Sequence, residues 1–202
     1  WRGRLPIRLG ILIATIAFVG WYWFTRIEPY RLYHQAQQEF PKNPHRAAEL
    51  LEAAVHQAGG EYPAAQLLWA HSFLRLGQTQ DALGCFSVIR NPAELNPEEL
   101  LTLAREARRS GENLLARFAL DAVSKGNPLQ IVARHELMDL ALAEGKSLEV
   151  LQISDQLTTR HPLHPLTAYL VAQAHEQLSD PQAALNDYQA ALRQPERLNP
   201  EQ

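Results

Sequence analysis

The feature that most restricts the fold of this chain is a turn that recurs with a constant period. Gly77, Gly111, Gly145 and Ser179 follow one another at the same spacing, which gives a 34-residue repeat. Small or apolar residues keep fixed distances from these turns, with one lapse at Ser154. Going from seven residues before each turn to twelve after it, these register positions are Ala70, Ala82, Phe86 and Ile89; Ala104, Ala116, Leu120 and Val123; Met138, Val150, Ser154 and Leu157; and Ala172, Ala184, Tyr188 and Ala191. The pattern predicts pairs of amphipathic helices joined by a turn.

The composition agrees with an all-α fold. After Phe24 the chain is a steady mixture of Ala, Leu, Glu, Gln and Arg, which favour helices, and it lacks the β-branched and aromatic runs of strands. Asn96-Pro97-Glu98-Glu99 predicts a helix start with a capping residue, a proline and an acidic first turn. Prolines fall between the repeated segments, where a helix must stop or start: Pro97, Pro128, Pro162, Pro165 and Pro195.

In unit length and in these register positions the chain resembles the tetratricopeptide repeat (TPR) family. The resemblance implies a right-handed α-solenoid of about five helix-turn-helix repeats. The repeats are expected at residues 29–60, 63–96, 97–130, 131–164 and 165–198. Residues 199–202 echo the Asn-Pro-Glu start, so we expect them to begin a further repeat or to be a truncated end.

A different element, a single transmembrane helix, is predicted ahead of the solenoid within residues 1–28. Leu5 to Phe24 is 20 residues long with one charge, Arg8, and a helix of that length covers the thickness of a bilayer. A cleaved signal peptide and a buried soluble helix fit less well, because small residues at a cleavage site and a polar face are both missing. The predicted anchor residues are Leu5, Arg8, Ile11, Phe18, Trp21, Tyr22, Trp23 and Phe24.

The orientation of this anchor follows from the flanking arginines. Arg2, Arg4 and Arg8 precede or enter the span, whereas Arg26 and Arg31 follow it. This balance favours a cytoplasmic N-terminus, with the repeats on the outer, periplasmic side of the membrane.

Sequence motifs for catalysis are missing. The eight histidines show no zinc-protease spacing, and His161 and His164 lack nearby acidic or cysteine ligands. The net charge of −3 and the pI near 6.3 do not favour nucleic acid. The single cysteine, Cys85, is expected to be a buried thiol. We therefore expect no enzyme, no metal, no cofactor and no small-molecule substrate, but other proteins and a lipid bilayer as partners.

The TPR resemblance implies that the first helix of each repeat lines a groove that holds a partner segment. Three of the residues expected in this groove, Arg105, Arg108 and Arg109, share one helical face and could bind an acidic segment. The alternative is a solvated face that neighbouring acids neutralise: Glu98, Glu99, Glu106 and Glu112. The predicted partner-binding residues are His71, Arg75, Arg105, Arg108, Arg109, His135, Asp139, Tyr169 and Gln173.

These features predict a membrane-anchored scaffold or adaptor that binds partner proteins through a TPR groove. Its place would be as a subunit or assembly factor of a membrane-associated complex. An organelle protein-import receptor with cytosolic repeats is the alternative, and it requires the opposite topology.

Overall fold

The computed structural model describes residues 4–23, 27–125, 129–158 and 164–193, with side chains from residue 12 onward. Within these ranges the chain is helical and contains no strand. Apart from a single 3₁₀ turn at Pro92–Glu94, the helices are α1 (Arg4–Tyr22), α2 (Glu28–Glu39), α3 (Pro44–Gln57), α4 (Pro63–Arg75), α5 (Thr79–Ser87), α6 (Pro97–Arg109), α7 (Asn113–Val123), α8 (Gln130–Ala143), α9 (Ser147–Thr158), α10 (Pro165–Gln177) and α11 (Pro181–Ala191). The prediction of an all-α chain is confirmed for the described residues.

The helices α3, α6, α10 and α11 each start with a capping side chain and a proline at the first helical position. The Asn96 side chain accepts a hydrogen bond from the Glu98 amide at 3.0 Å, as its sequence context predicts. Asp180 does the same for the Ala183 amide at the start of α11. These caps satisfy amides that would otherwise lack a partner in the first turn.

Each hairpin turn ends its first helix in the same way. Gly77, Gly111, Gly145 and Ser179 all have a left-handed backbone, with φ between +61° and +79°. The amide after each of them bonds back to a carbonyl five residues earlier, at 2.8 to 2.9 Å, in the Schellman arrangement. The 34-residue recurrence in the sequence is therefore a recurrence of one turn geometry.

The register positions around these turns form the interior of the hairpins. All of them are buried except Tyr188, which is half-buried. The small ones, such as Ala82, Ala116 and Ala184, are 0 to 3% exposed and allow paired helices to approach closely. Ser154, the lapse in the pattern, is also buried, at 7% exposed.

Helix contacts divide the chain into two compact units, Trp1–Leu95 and Asn96–Gln202. In the first, the N-terminal unit, α2 pairs with α3 and α4 with α5, and α3 packs on α4. One core cluster of this unit consists of Ala36, Ala47, Leu51, Val55 and Ala65, with aromatic side chains packed around them.

The second, the C-terminal unit, contains three hairpins in chain order: α6–α7, α8–α9 and α10–α11. Helix α8 packs on α7, on its own partner α9 and on α10, and α9 also packs on α10. A core that includes Met138, Val150, Leu170 and Ala174 lies where the second and third hairpins meet.

The predicted membrane anchor coincides with α1, which is 19 residues long. Phe18, Trp21, Tyr22 and Trp23 are all exposed to about half or more of their area. Leu5, Arg8 and Ile11 fall where only the backbone is described, and Phe24 falls outside the described residues. Among the helices that the structure describes, none combines the length and the apolar character needed to cross a bilayer. The predicted transmembrane span is thus not supported.

Candidate interaction surface on the first helices

Three arginines of α6 lie together at the surface of the C-terminal unit. Arg105, Arg108 and Arg109 line one open cavity of about 300 Å³. They share a face because residues three and four apart are neighbours on a helix. The other side of α6 is buried through its leucines and alanines: Leu100, Leu101, Leu103, Ala104 and Ala107. The amphipathic character of the helix therefore presents the arginines to solvent.

Two of these arginines bond to carboxylates of α8, the first helix of the next hairpin. Arg105 donates from Nε and Nη2 to Glu136 Oε1, at 2.9 and 2.7 Å. Arg108 donates from Nη2 to Asp139 Oδ2 at 2.6 Å. Both pairs are partly solvated, so each contributes at most about 1 kcal/mol to stability. Their more definite effect is to fix the direction of two guanidinium groups.

The charge of this cluster is not fully cancelled. Three guanidinium groups against the two carboxylates, Glu136 and Asp139, leave a net charge of about +1 at neutral pH. Arg109 is exposed and forms no ion pair with any residue that the structure describes. Glu136 Oε2 is buried and finds no hydrogen-bond partner within the described ranges. The cluster thus keeps one cation and one acceptor that its internal pairs do not use.

The carboxylates that pair with these arginines differ from those expected on the sequence. The alternative given by the sequence is neutralisation by acids near α6 in the chain, whereas the acids bonded to Arg105 and Arg108 come from α8, 31 residues away. Asp139 was predicted only as a groove residue, and Glu136 was not among the predicted partner-binding residues. The repeat period could have indicated these pairs. Equivalent positions of successive hairpins are 34 residues apart, and side chains that face each other across two hairpins are slightly closer in sequence, here 31 residues.

His135 lies inside the C-terminal unit rather than at its surface. Only 7% of it is exposed, and its Nε2 is 2.8 Å from Thr167 Oγ1 on α10. The ring also lies 5.1 Å from the ring of His164. Burial, and secondarily the nearby His164, lowers the pKa of His135 to about 4. The side chain is therefore neutral at physiological pH and joins α8 to α10, which differs from the groove position expected on the sequence.

His71 and Arg75 of α4 surround an aromatic ring in the N-terminal unit. The Arg75 guanidinium carbon is 4.3 Å from the centre of the Phe40 ring, a cation–π contact. His71 packs edge-on against the same ring, with 6.3 Å between ring centres, and is 8% exposed. Of these two predicted partner-binding residues, only Arg75 is exposed.

Tyr169 and Gln173 lie on α10, one helical turn apart. Gln173 Nε2 donates to the Tyr169 hydroxyl at 3.2 Å, and the Tyr169 ring lies 5.8 Å from that of Tyr188. Tyr188 in turn donates to Glu176 at 2.8 Å. Desolvation, followed by this bond to Glu176, raises the pKa of Tyr188 to about 12. These polar contacts stabilise the last hairpin, and Tyr169 remains partly exposed.

The described residues give little structural support for a metal-binding site or a reactive thiol. No three His, Cys, Asp or Glu side chains among them converge as metal ligands would. His161, one of the histidines considered on the sequence, lies outside the described residues. Cys85 is half-buried rather than fully buried as the sequence predicts. Desolvation first, then Asp81 and Glu52, raises the pKa of Cys85 to about 12, so the thiol stays protonated and a poor nucleophile at neutral pH.

Comparisons with known proteins give a likeness in structure alone. No protein-family model matches the chain, and none of the curated proteins matches it. One similar crystal structure shows the nearly identical TPR-like repeats of a kinesin light chain-like protein from Podosopora anserina. It is 20% identical, has a TM-score of 0.49, and the match covers 82% of this chain and 95% of the other. A second structure of the same repeats, also 20% identical, gives a TM-score of 0.47 over 83% and 96% of the two chains.

Proposed function

We propose that this chain is a non-catalytic scaffold that binds partner proteins through the exposed faces of its first helices. The observation that carries the proposal is the arginine cluster of α6, which is held in position at the surface by α8 and is not consumed by the core. Hairpin repeats commonly present such surfaces to extended partners. The half-buried, protonated Cys85 and the neutral, buried His135 support a binding role over catalysis.

Site-specific photocrosslinking tests this proposal directly. A photoreactive residue replaces Thr102, which is exposed and lies one turn before Arg105 on α6. A matched control places it at the exposed Gln189 on α11. We expect discrete crosslinked proteins from position 102 in cells that make the native protein, and fewer or different ones from position 189. Identical products from both positions, or none, would argue against a partner on the α6 face.

A second part of the proposal concerns attachment to a lipid bilayer through α1. Its described side chains, from Leu12 to Trp23, are all exposed, and they include aromatic residues clustered at one end. Exposed apolar and aromatic groups of this kind lower their free energy at a membrane interface. We expect the full chain to float with lipid vesicles and the Ile16→Glu, Val19→Glu double variant to remain in solution. Flotation of both to the same extent would contradict the attachment.

The predicted topology, with a cytoplasmic N-terminus and outward repeats, can be examined on the same membrane. Protease added to sealed cytoplasmic-membrane vesicles whose cytoplasmic face is outward should leave the repeats intact if they lie on the outer side. Digestion of the repeats before the vesicles are opened would place them on the cytoplasmic side, as an import receptor requires.

A further inference from the structure

We propose that the cluster formed by Arg105, Arg108 and Arg109 recognises a carboxylate-rich peptide segment of a partner protein. The inference rests on the proposed binding function and adds the chemistry of the partner. It starts from the three guanidinium groups that line one open cavity of about 300 Å³. Guanidinium groups form strong charge-assisted hydrogen bonds with carboxylates, so the charge of the cavity selects an anionic ligand.

The ion pairs to α8 prepare the cluster for such a ligand. Glu136 and Asp139 each hold one arginine, through Nε and Nη2 of Arg105 and through Nη2 of Arg108. The bonds recorded within the described residues leave Nη1 of both arginines for a ligand. Because the two side chains are already ordered, binding costs less conformational entropy than it would with freely rotating arginines.

Arg109 supplies the charge that these pairs leave uncancelled. It lines the same cavity, is exposed, and is not ion-paired within the part of the chain that the structure describes. An incoming carboxylate can therefore bond to Arg109 without breaking an existing ion pair. This arrangement assigns Arg109 the largest individual share of ligand binding.

A peptide fits this charge pattern better than a nucleic acid does. The cluster carries a net charge of only about +1. The whole chain has a net charge of −3, so a continuous phosphate backbone would meet repulsion beyond the cluster. A short segment with a few carboxylates needs only the local cavity.

The test measures fluorescence anisotropy of a short glutamate-rich peptide, with its glutamine analogue as the uncharged probe and the full chain as receptor. We expect the glutamate peptide to bind more tightly, and the difference to shrink as salt is added. Equal binding of the two peptides would overturn the proposal. Unlabelled competitors are then compared at equal charge concentration. A single-stranded oligonucleotide that displaces the labelled peptide as effectively as unlabelled glutamate peptide would also overturn the proposal.

Two variants change the local charge in opposite directions. Arg109→Gln removes the uncancelled cation, and we expect about tenfold weaker binding of the glutamate peptide. Asp139→Asn removes one negative charge but keeps an amide oxygen that can accept the hydrogen bond from Arg108, so this arginine stays oriented. We expect binding to become a few times tighter because the cluster then carries a larger positive charge. An affinity gain cannot come from misfolding, so this variant tests the proposal even if others are destabilised. An unchanged or weakened affinity for Asp139→Asn would contradict it.

Arg46→Gln provides the matched control. Arg46 is an exposed arginine of α3 that pairs with Glu49 at 2.6 Å, outside the cluster. Its loss changes the net charge of the chain as much as Arg109→Gln does, and we expect it to leave peptide binding unchanged. Equal effects of the two variants would reduce the result to overall charge and overturn the site. The peptide tests can give a negative result while the photoreactive residue at position 102 still crosslinks to partner proteins. That outcome supports the scaffold proposal and contradicts only the inference of an acidic ligand.

Discussion

The buried imidazole of His135 carries a pH dependence for the C-terminal unit. Its pKa falls from an ordinary 6.5 to about 4 in the folded chain, whereas the unfolded chain keeps the ordinary value. As the pH falls through 6.5 towards 4, the unfolded state binds the proton first, so folded stability decreases in that range and is fully present above pH 6.5. The loss at pH 4 is on the order of 3 kcal/mol.

Hydrogen exchange of the α8 and α10 amides measures this effect. We expect their protection to weaken between pH 6.5 and pH 4.5, after correction for the intrinsic exchange rate, and to weaken much less in His135→Gln. His45→Gln is the control, because His45 is exposed on α3 and should leave the α8 and α10 amides unaffected. An equal pH response in the wild type and in His135→Gln would exclude His135 as its source.

Ser179 occupies a backbone conformation that suits glycine better. Its φ of +61° matches the left-handed turns in which the other hairpins place Gly77, Gly111 and Gly145. A residue with a Cβ atom loses roughly 1–2 kcal/mol there, and glycine costs about 0.5–1 kcal/mol through the unfolded state. We expect Ser179→Gly to raise the unfolding free energy by about 0.5 kcal/mol and Gly145→Ser to lower it by about 1 kcal/mol. Urea unfolding of both variants gives the two changes, and a destabilising Ser179→Gly would refute the turn argument.

The sequence does not predict which side chains bond to each other between successive hairpins. Arg105 and Glu136, Arg117 and Glu149, and Ser147 and Gln177 are bonded at separations of 30 to 32 residues. The repeat period limits such pairs to a narrow interval, but it does not say which polar residue faces inward. His135 illustrates the limit, because its burial depends on Thr167 and His164 of the next hairpin.

At the scale of helices, the local signals in the sequence were sufficient. The prolines and the capping residue Asn96 mark helix starts, and the glycine turns mark the hairpins, because each of these features acts within a few residues. The 3₁₀ turn at Pro92–Glu94 was not anticipated. It lacks a side-chain capping bond and an apolar period, the two signals on which the helix predictions relied.

Close helix pairing predicts the cost of enlarging a small register residue. Ala116 and Ala184 are 0 and 3% exposed, so a tryptophan at either position has no room without moving a helix. We expect Ala116→Trp and Ala184→Trp to lower the unfolding free energy by about 1–3 kcal/mol or more. Urea denaturation followed by circular dichroism measures this. Gln189→Trp, at an exposed position of α11, should cost little, and an equal cost for all three would reject the packing argument.

At the scale of the molecule, the sequence predicts a solenoid of about five repeats, and helix contacts group the hairpins into two compact units. A constant repeat interval predicts similar hairpins, but it does not mark the boundary between two compact units. Residues 88–95, with their 3₁₀ turn, end the first unit without a regular α-helix. Sequence periodicity therefore predicts the individual hairpins but does not predict how the hairpins are grouped into units.

The division predicts that the fragment Asn96–Gln202 folds by itself. It contains three hairpins whose helices pack in chain order, with a core where the second and third hairpins meet. Three stacked hairpins are about the minimum for a stable helical array. We expect helical circular dichroism and a cooperative urea transition. A fragment from Asn113 onward lacks α6 and leaves the buried face of α7 uncovered, so it should unfold at lower urea with a broader transition. A non-cooperative transition for Asn96–Gln202 would show that its core needs residues of the N-terminal unit.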